Sequence, residues 1–231
     1  MNKDTLLVEG KSDQLFFKFL IANHKKLEEK EIEISPPKPL GSDGDGVDGI
    51  IDMLPNLLKF KAFGGSLGIV LDADYEPKGF NKRRDKIIEI IKEEGYDVSI
   101  PLQSEPWKGD IFPHPELSPV GLWIMPNHQT DGMFETLMLD TIPDGIRSQL
   151  LARLKMELGN VLSIDEFREI RLKASHKDKT LLNTWLYWQK QPSTCKSDDV
   201  SIIECALKEG WLNPEHDNIK ALTSWLTRVF Q

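Results

Sequence analysis

Apolar and polar positions alternate along this chain in two rhythms. Near the start, TLLVEG is a short apolar run closed by Glu-Gly, the pattern of a buried parallel strand. KSDQLFFKFLIANHKKLEE then changes to helical spacing, with Leu15, Phe16, Phe19 and Leu20 as the predicted apolar stripe and Ser12 as the predicted N-cap. EIEIS alternates as a second strand does. The turn-rich PPKPLGSDGDGVDG leads into a helical pattern, DGIIDMLPNLLKFKAF, in which Pro55 interrupts or restarts the helix. SLGIVLDADYEP is the strongest strand signal and ends at Asp72. NKRRDKIIEIIKEEGY is the next helix, with Ile87, Ile88, Ile90 and Ile91 apolar and Gly95 at its C-terminal cap. DVSIPLQ and VGLWIMP are two further strand candidates.

Strand and helix alternate through the first half, which predicts an α/β fold, Rossmann-like, with a mainly parallel sheet flanked by helices and right-handed crossovers. From about Thr130 the rhythm is helical almost throughout: DGMFETLMLDTIP, IRSQLLARLKMEL, IDEFREIRLKAS, TLLNTWLYWQKQ and DNIKALTSWLTRVF. The expected organisation is an α/β domain over residues 1–130 and a helical extension over 131–231, packed on it or continuous with it. No fixed-period repeat is present.

Composition narrows the classes. Hydrophobic residues make up 39% of the 231, enough for a core. The longest apolar runs fall well short of the roughly 20 residues that span a bilayer. The opening MNKDTLLVEG lacks the regions of a signal peptide, so a cytoplasmic location and no membrane partner are expected. Cys195 and Cys205 are too few for a zinc cluster or a disulfide framework and are expected to be reduced, structural thiols. The formal net charge of −8 weighs against a protein that coats nucleic acid by bulk charge, but not against an enzyme that holds it locally.

Functional groups in open parallel sheets gather outside the carboxyl ends of the strands. Glu9 closes the first strand and Asp72 and Asp74 close the third. In extended chain the two aspartates project to one side, and adjacent strands lie about 5 Å apart, so the three carboxylates are expected to converge. Together they repel one another, and a hard divalent cation, Mg2+ or Mn2+, relieves that repulsion. Alone, a Glu after a strand is most often a cap or a surface charge, and a lone D-x-D is a weak metal signal; the pair at matched strand ends is stronger. Lys11, directly after Glu9-Gly10, is a candidate phosphate contact. Asp13 reads better as a first-turn helix acid than as a member of the site.

LLVEGKSD and LGIVLDADYEP resemble the two motifs of the Toprim family, which includes the metal-binding domains of primases and topoisomerases and the OLD-type nucleases. The resemblance covers roughly residues 1–130. It implies Asp72 and Asp74 as magnesium ligands, Glu9 as acid/base or metal-linked glutamate, and a Gly10 that lets the backbone approach the site. Later stretches, LWIMPNHQTDGMFETL, KASHKDKTLLNTWLYWQ and QPST, are similar to small prokaryotic Toprim-like proteins of unknown function near the OLD-type nucleases. They imply Glu135 as a further metal ligand and Lys179 as a catalytic cation, with Lys177 as its alternate. The family's topoisomerase and primase branches fit poorly: there is no room for a gate, two cysteines cannot build a zinc module, and no G-x-x-x-x-G-K-[ST] occurs.

Other features remain two-sided. GSDGDGVDG fails the EF-hand pattern and reads as a phosphate-facing loop before a helix or as a plain turn. Lys82, Arg83 and Arg84 either steer a phosphate backbone or form a solvated helix face. His176, Lys177 and Lys179 are a basic knot or a solvated turn. His114 and His128 show no ligand spacing. Trp185, Trp188 and Trp225 are expected in the core. The functional expectation is a Mg2+-dependent phosphoryl-transfer enzyme, foremost a nuclease on DNA or RNA. The rivals are a non-catalytic nucleic-acid or protein-binding partner in a defence or repair system, and a nucleotide phosphohydrolase. Oligomerisation is left open.

Overall fold

A computed structural model describes residues 3–59, 65–99, 108–163, 176–190 and 201–231. The described residues form two compact units, one of residues 1–134 with 217–231, the other of 135–216.

The first unit is an α/β sheet. β1 (Asp4–Leu7), β2 (Ile32–Ser35), β3 (Leu67–Asp72), β4 (Asp110–Phe112) and β5 (Val120–Met125) stand in the order β2-β1-β3-β5-β4. All neighbouring pairs are parallel except β4–β5. The connections are α1 (Lys11–Ala22), α2 (Gly46–Lys59) and α3 (Phe80–Glu93). The chain first steps outward from β1 to β2, then returns past β1 to β3. With right-handed crossovers this reversal puts α1 on the face opposite α2 and α3, and it makes the gap between β1 and β3 the switch point of the sheet.

The parallel strands are buried on both faces, which is why they read as unbroken apolar runs. On one face Leu7, Ile69, Leu71, Leu122 and Ile124 pack with Ile50 and Leu54 of α2 and Ile87 and Ile91 of α3. On the other lies α8 (Asp217–Val229). Two glycines make room for it. A Cβ on Gly121 would collide with Val229 and Trp225, and one on Gly68 would stand 2.8 Å from Leu6 Cδ1 and 3.0 Å from Phe230 Cζ. Gly68 and Gly121 are register partners on β3 and β5, so they form one flat patch on which the helix rests. The last helix therefore belongs to the sheet unit rather than to the helical extension expected over 131–231.

Several local expectations are corrected. The buried stripe of α1 is Phe16, Phe17, Leu20 and Ile21, turned by one position from the expected one. Its N-cap is Gly10, not Ser12, and the Asp13 carboxylate accepts the Gly10 N–H at 3.1 Å, so Asp13 serves the first turn as expected. α2 runs through Pro55 without a break. β4 was not foreseen, while Asp97–Ser99 of the DVSIPLQ candidate forms no strand and the rest of that segment lies outside the described residues.

The second unit is helical: α4 (Phe134–Asp140, its first residue in the sheet unit), α5 (Ile146–Leu162), α6 (Lys177–Tyr187) and α7 (Ile202–Lys208), the last not foreseen. Trp185 is fully buried and donates its indole N–H to Arg147 O at 3.1 Å, whereas Trp188 is 62% exposed and is not a core residue. Cys205 is buried and disulfide-bonded, not the reduced thiol expected; Cys195, the IDEFREIRLKAS helix and QPST lie outside the described residues. No helix among the described residues is long and apolar enough to cross a membrane.

Candidate metal centre

The carboxyl ends of β1 and β3 bring Glu9 onto Asp72. The Glu9 carboxyl accepts the Asp72 N–H, tying the residue beyond the first strand to the end of the third. Asp72 Oδ1 in turn accepts the Phe134 N–H at 2.8 Å. Asp74 joins them by a different route from the one expected. β3 ends at Asp72, and Asp74 adopts a left-handed backbone, φ 61°, which costs less for Asp than for most residues. Two backbone hydrogen bonds with Gly132, at 2.8 and 3.0 Å, hold it there. A turn, not the alternation of an extended strand, aims the second aspartate.

Burial pushes the Glu9 pKa from 4.5 up to about 8; the charges of Asp13 and Asp74 push the same way, while the Asp72 N–H and Arg83 pull against them. Arg83 is buried and pairs with Asp74 Oδ2 at 2.9 Å, and Lys78 reaches the same oxygen at 3.1 Å. Gly46, the first residue of α2, has φ 60°, and a Cβ there would stand 3.8 Å from Glu9 Oε2, so the GSDGDGVDG loop borders the site. Gly10, by contrast, is extended at φ −155° with ordinary room for a Cβ, so nothing in its geometry demands glycine.

The donors suit a hard cation, because carboxylate oxygens are what Mg2+ prefers. As they stand, no three His, Cys, Asp or Glu side chains among the described residues are gathered into a metal-holding group. Asp74 Oδ2 faces both Arg83 and Lys78, so a cation that takes this oxygen competes with them.

The remaining expected residues are described within their own units. Lys11 is exposed at the start of α1. Glu135, half-buried in the first turn of α4, and Lys177 and Lys179, exposed in the first turn of α6, belong to the helical unit. There Thr136 donates to Asp178 at 2.6 Å, joining the starts of those two helices. The arginines of α3 are not a phosphate-steering patch. Arg84 forms two hydrogen bonds with Asp110, at 2.8 and 3.1 Å, and Lys82 pairs with Glu76 at 3.0 Å. His128, buried, accepts the Ile124 N–H on Nδ1 at 3.0 Å, so Nε2 carries the proton and donates to Asp110 at 3.1 Å. The sequence did hold one signal for Arg83: it stands four residues before Ile87, on the apolar face of α3.

The class these features define is a doubly wound α/β protein with an acid cluster at its sheet's switch point. The chain belongs to the family described as a protein of unknown function (DUF3226), whose model matches residues 3–231. No curated protein and no solved structure matches the chain.

Proposed function

We propose that this protein is a Mg2+-dependent phosphoryl-transfer enzyme, foremost a nuclease acting on DNA or RNA. What carries the reading is the convergence of Glu9 and Asp72 from β1 and β3 at the switch point, the position where open α/β sheets bind their ligands. The resemblance of LLVEGKSD and LGIVLDADYEP to the Toprim motifs agrees with it. Glu9, Asp72 and Asp74 would hold the cation, which when bound supplies charge neutralisation and Lewis-acid polarisation at a phosphoryl oxygen. Glu9, protonated at neutral pH while its pKa stays near 8, would give up its proton as the cation enters and then serve as ligand or proton acceptor. Lys11 would meet a phosphate entering over the start of α1. Glu135 as a further ligand and Lys179, or Lys177, as the group that stabilises developing negative charge rest on the sequence resemblance alone.

The test is cleavage of supercoiled plasmid, single-stranded DNA and RNA with Mg2+ or Mn2+. The Glu9→Gln, Asp72→Asn double variant is expected to lose activity by roughly 100-fold or more. Cleavage at an unchanged rate would sink the nuclease reading. Turnover of mononucleotides with nucleic acids left intact would reassign the same site to a nucleotide phosphohydrolase.

A second reading is favoured by one observation: Asp74 is already neutralised by Arg83 and Lys78. On that reading the cluster is structural and the protein is a non-catalytic partner for nucleic acid or protein. Calorimetric titration with Mg2+ and Mn2+ separates the two, since a purely structural cluster binds neither at millimolar concentration.

A further inference from the structure

The loop after β5 grips the acid-bearing segment at three points. Asp131 Oδ1 accepts the Phe80 N–H at 2.7 Å, Gly132 exchanges two backbone hydrogen bonds with Asp74, and the Phe134 N–H reaches Asp72 Oδ1 at 2.8 Å. The Asp131 contact lies outside the carboxylate cluster and joins it to α3. That helix opens on Gly79, which has no side chain to cap its first N–H groups. Asp131 supplies the missing oxygen from 51 residues beyond Phe80. Gly79 is shaped to receive it: its φ is +84°, and a Cβ there would stand 3.0 Å from Asp131 Oδ1 and 3.2 Å from Oδ2. The aspartate fills the place that a side chain at position 79 would need.

The Gly79 N–H in turn closes on Ala73 O at 3.1 Å, so residues 73–79 form a loop. Gly132 holds that loop at Asp74, and Asp131 holds it where α3 begins. Phe80 lies one turn before Arg83, whose guanidinium pairs with Asp74 Oδ2 at 2.9 Å, so the two grips fix both ends of that pair. The gripping segment is itself anchored. Asn127 Oδ1 accepts the N–H groups of Gln129 and Thr130, at 3.1 and 3.0 Å, and the Thr130 hydroxyl at 3.0 Å. His128, buried, donates its N–H to Ile124 O at 2.7 Å and accepts the Ile124 N–H on its ring. A left-handed backbone such as that of Asp74 persists where its surroundings over-determine it, and these contacts do so.

We propose that Asp131 is a positioning residue for the carboxylate cluster: through Gly79 and Phe80 it holds the 73–79 loop in the turn that directs Asp74. Its consequence for metal binding rests on the reading of the cluster as a Mg2+ site. The test compares Asp131→Ala with Asp131→Asn in the full-length chain. Asn keeps an acceptor oxygen and loses only the charge, and position 131 is exposed, so neither change opens the core. With chelator present, amide hydrogen exchange is followed at Asp74, whose N–H is bonded to Gly132 rather than to Asp131. Asp131→Ala is expected to speed exchange at Asp74 about tenfold, and Asp131→Asn to bring it back within about twofold of the unaltered chain. Mg2+ affinity by calorimetry is expected to fall about tenfold in Asp131→Ala and to recover in Asp131→Asn. Faster exchange at Phe80 with Asp74 unchanged would overturn the proposal, because Asp131 would then be a helix cap alone. An equal loss of Mg2+ affinity in both variants would overturn it too, because the carboxylate would then act by its charge. Should the unaltered chain bind no Mg2+, the metal reading falls, and exchange at Asp74 alone decides the role of Asp131.

Discussion

Arg83 and Arg84 are consecutive on α3, and each pairs with an aspartate at the end of a different stretch of chain. Arg84 meets Asp110 in β4, and His128 completes that set. Burial would raise the Asp110 pKa, but the hydrogen bonds from His128 and Arg84 outweigh it, and the aspartate is held below the usual carboxylate range. Arg83 meets Asp74, and there burial, aided by the charges of Asp13 and Asp74, pushes Glu9 up to about 8. One cluster is closed, with every head satisfied. The other sets the buried Glu9 carboxyl beside Asp72 and the Arg83–Asp74 pair, at the end of the sheet where ligands bind. The contrast separates a buried network that fastens β4 and the loop after β5 onto α3 from one in which a buried carboxyl keeps a raised pKa. Proximity of Asp and Arg alone would not have told them apart.

The sharpest way to break this comparison is Asp110→Ala. It strands Arg84 and the His128 Nε2–H in a partly buried site, and a loss of about 3–5 kcal/mol in urea unfolding is expected. A loss under about 1 kcal/mol would show that the closed cluster is not a structural tie. Next in size is the pH response of Glu9. Its folded pKa lies above the unfolded 4.5, so the folded chain holds a proton that the unfolded chain releases, and this contribution to stability falls as pH rises from 4.5 through about 8. Glu9→Gln should flatten that fall, raising the melting temperature at pH 8.5 by about 10 °C while leaving it unchanged near pH 4. An unaltered pH–stability curve would place the Glu9 carboxyl in a solvated setting instead.

Arg83→Gln sharpens the comparison from the other side. On the proposed metal reading it removes a positive charge beside the cation site, so Mg2+ affinity measured by calorimetry should rise about fivefold, whereas Arg84→Gln leaves it unchanged. Equal effects of the two variants would erase the distinction between the clusters. Smallest is Lys82→Gln. The exposed Lys82–Glu76 pair should shift the unfolding free energy by less than about 0.5 kcal/mol, which makes it the control for charge removal on α3.

Much of this was open to reading from the chain alone. Unbroken apolar runs mark β1, β3 and β5 because a parallel strand is covered on both faces, and the acids that end the first two runs stand out because apolar strands seldom close on paired carboxylates. The three-residue β4 left no such trace, nor did α7, since elements so short carry too few residues for a period to show. Glu9 and Asp72 were named from their places at strand ends. Asp74 was named for the wrong reason, because its direction comes from a left-handed turn that Gly132 fixes from 58 residues further along.

The amino-acid order by itself determined the alternation of strand and helix, the apolar faces, and the identity of the carboxylates, because hydrophobic period and strand-end chemistry are local properties. Only the tertiary structure decided which charge answers which. Whether Arg83 belongs with Asp74 and Arg84 with Asp110, and whether the last helix rejoins the sheet over Gly68 and Gly121, depend on strand order and close approach between distant segments. Those are set by the packing of the whole unit, and no window of sequence contains them.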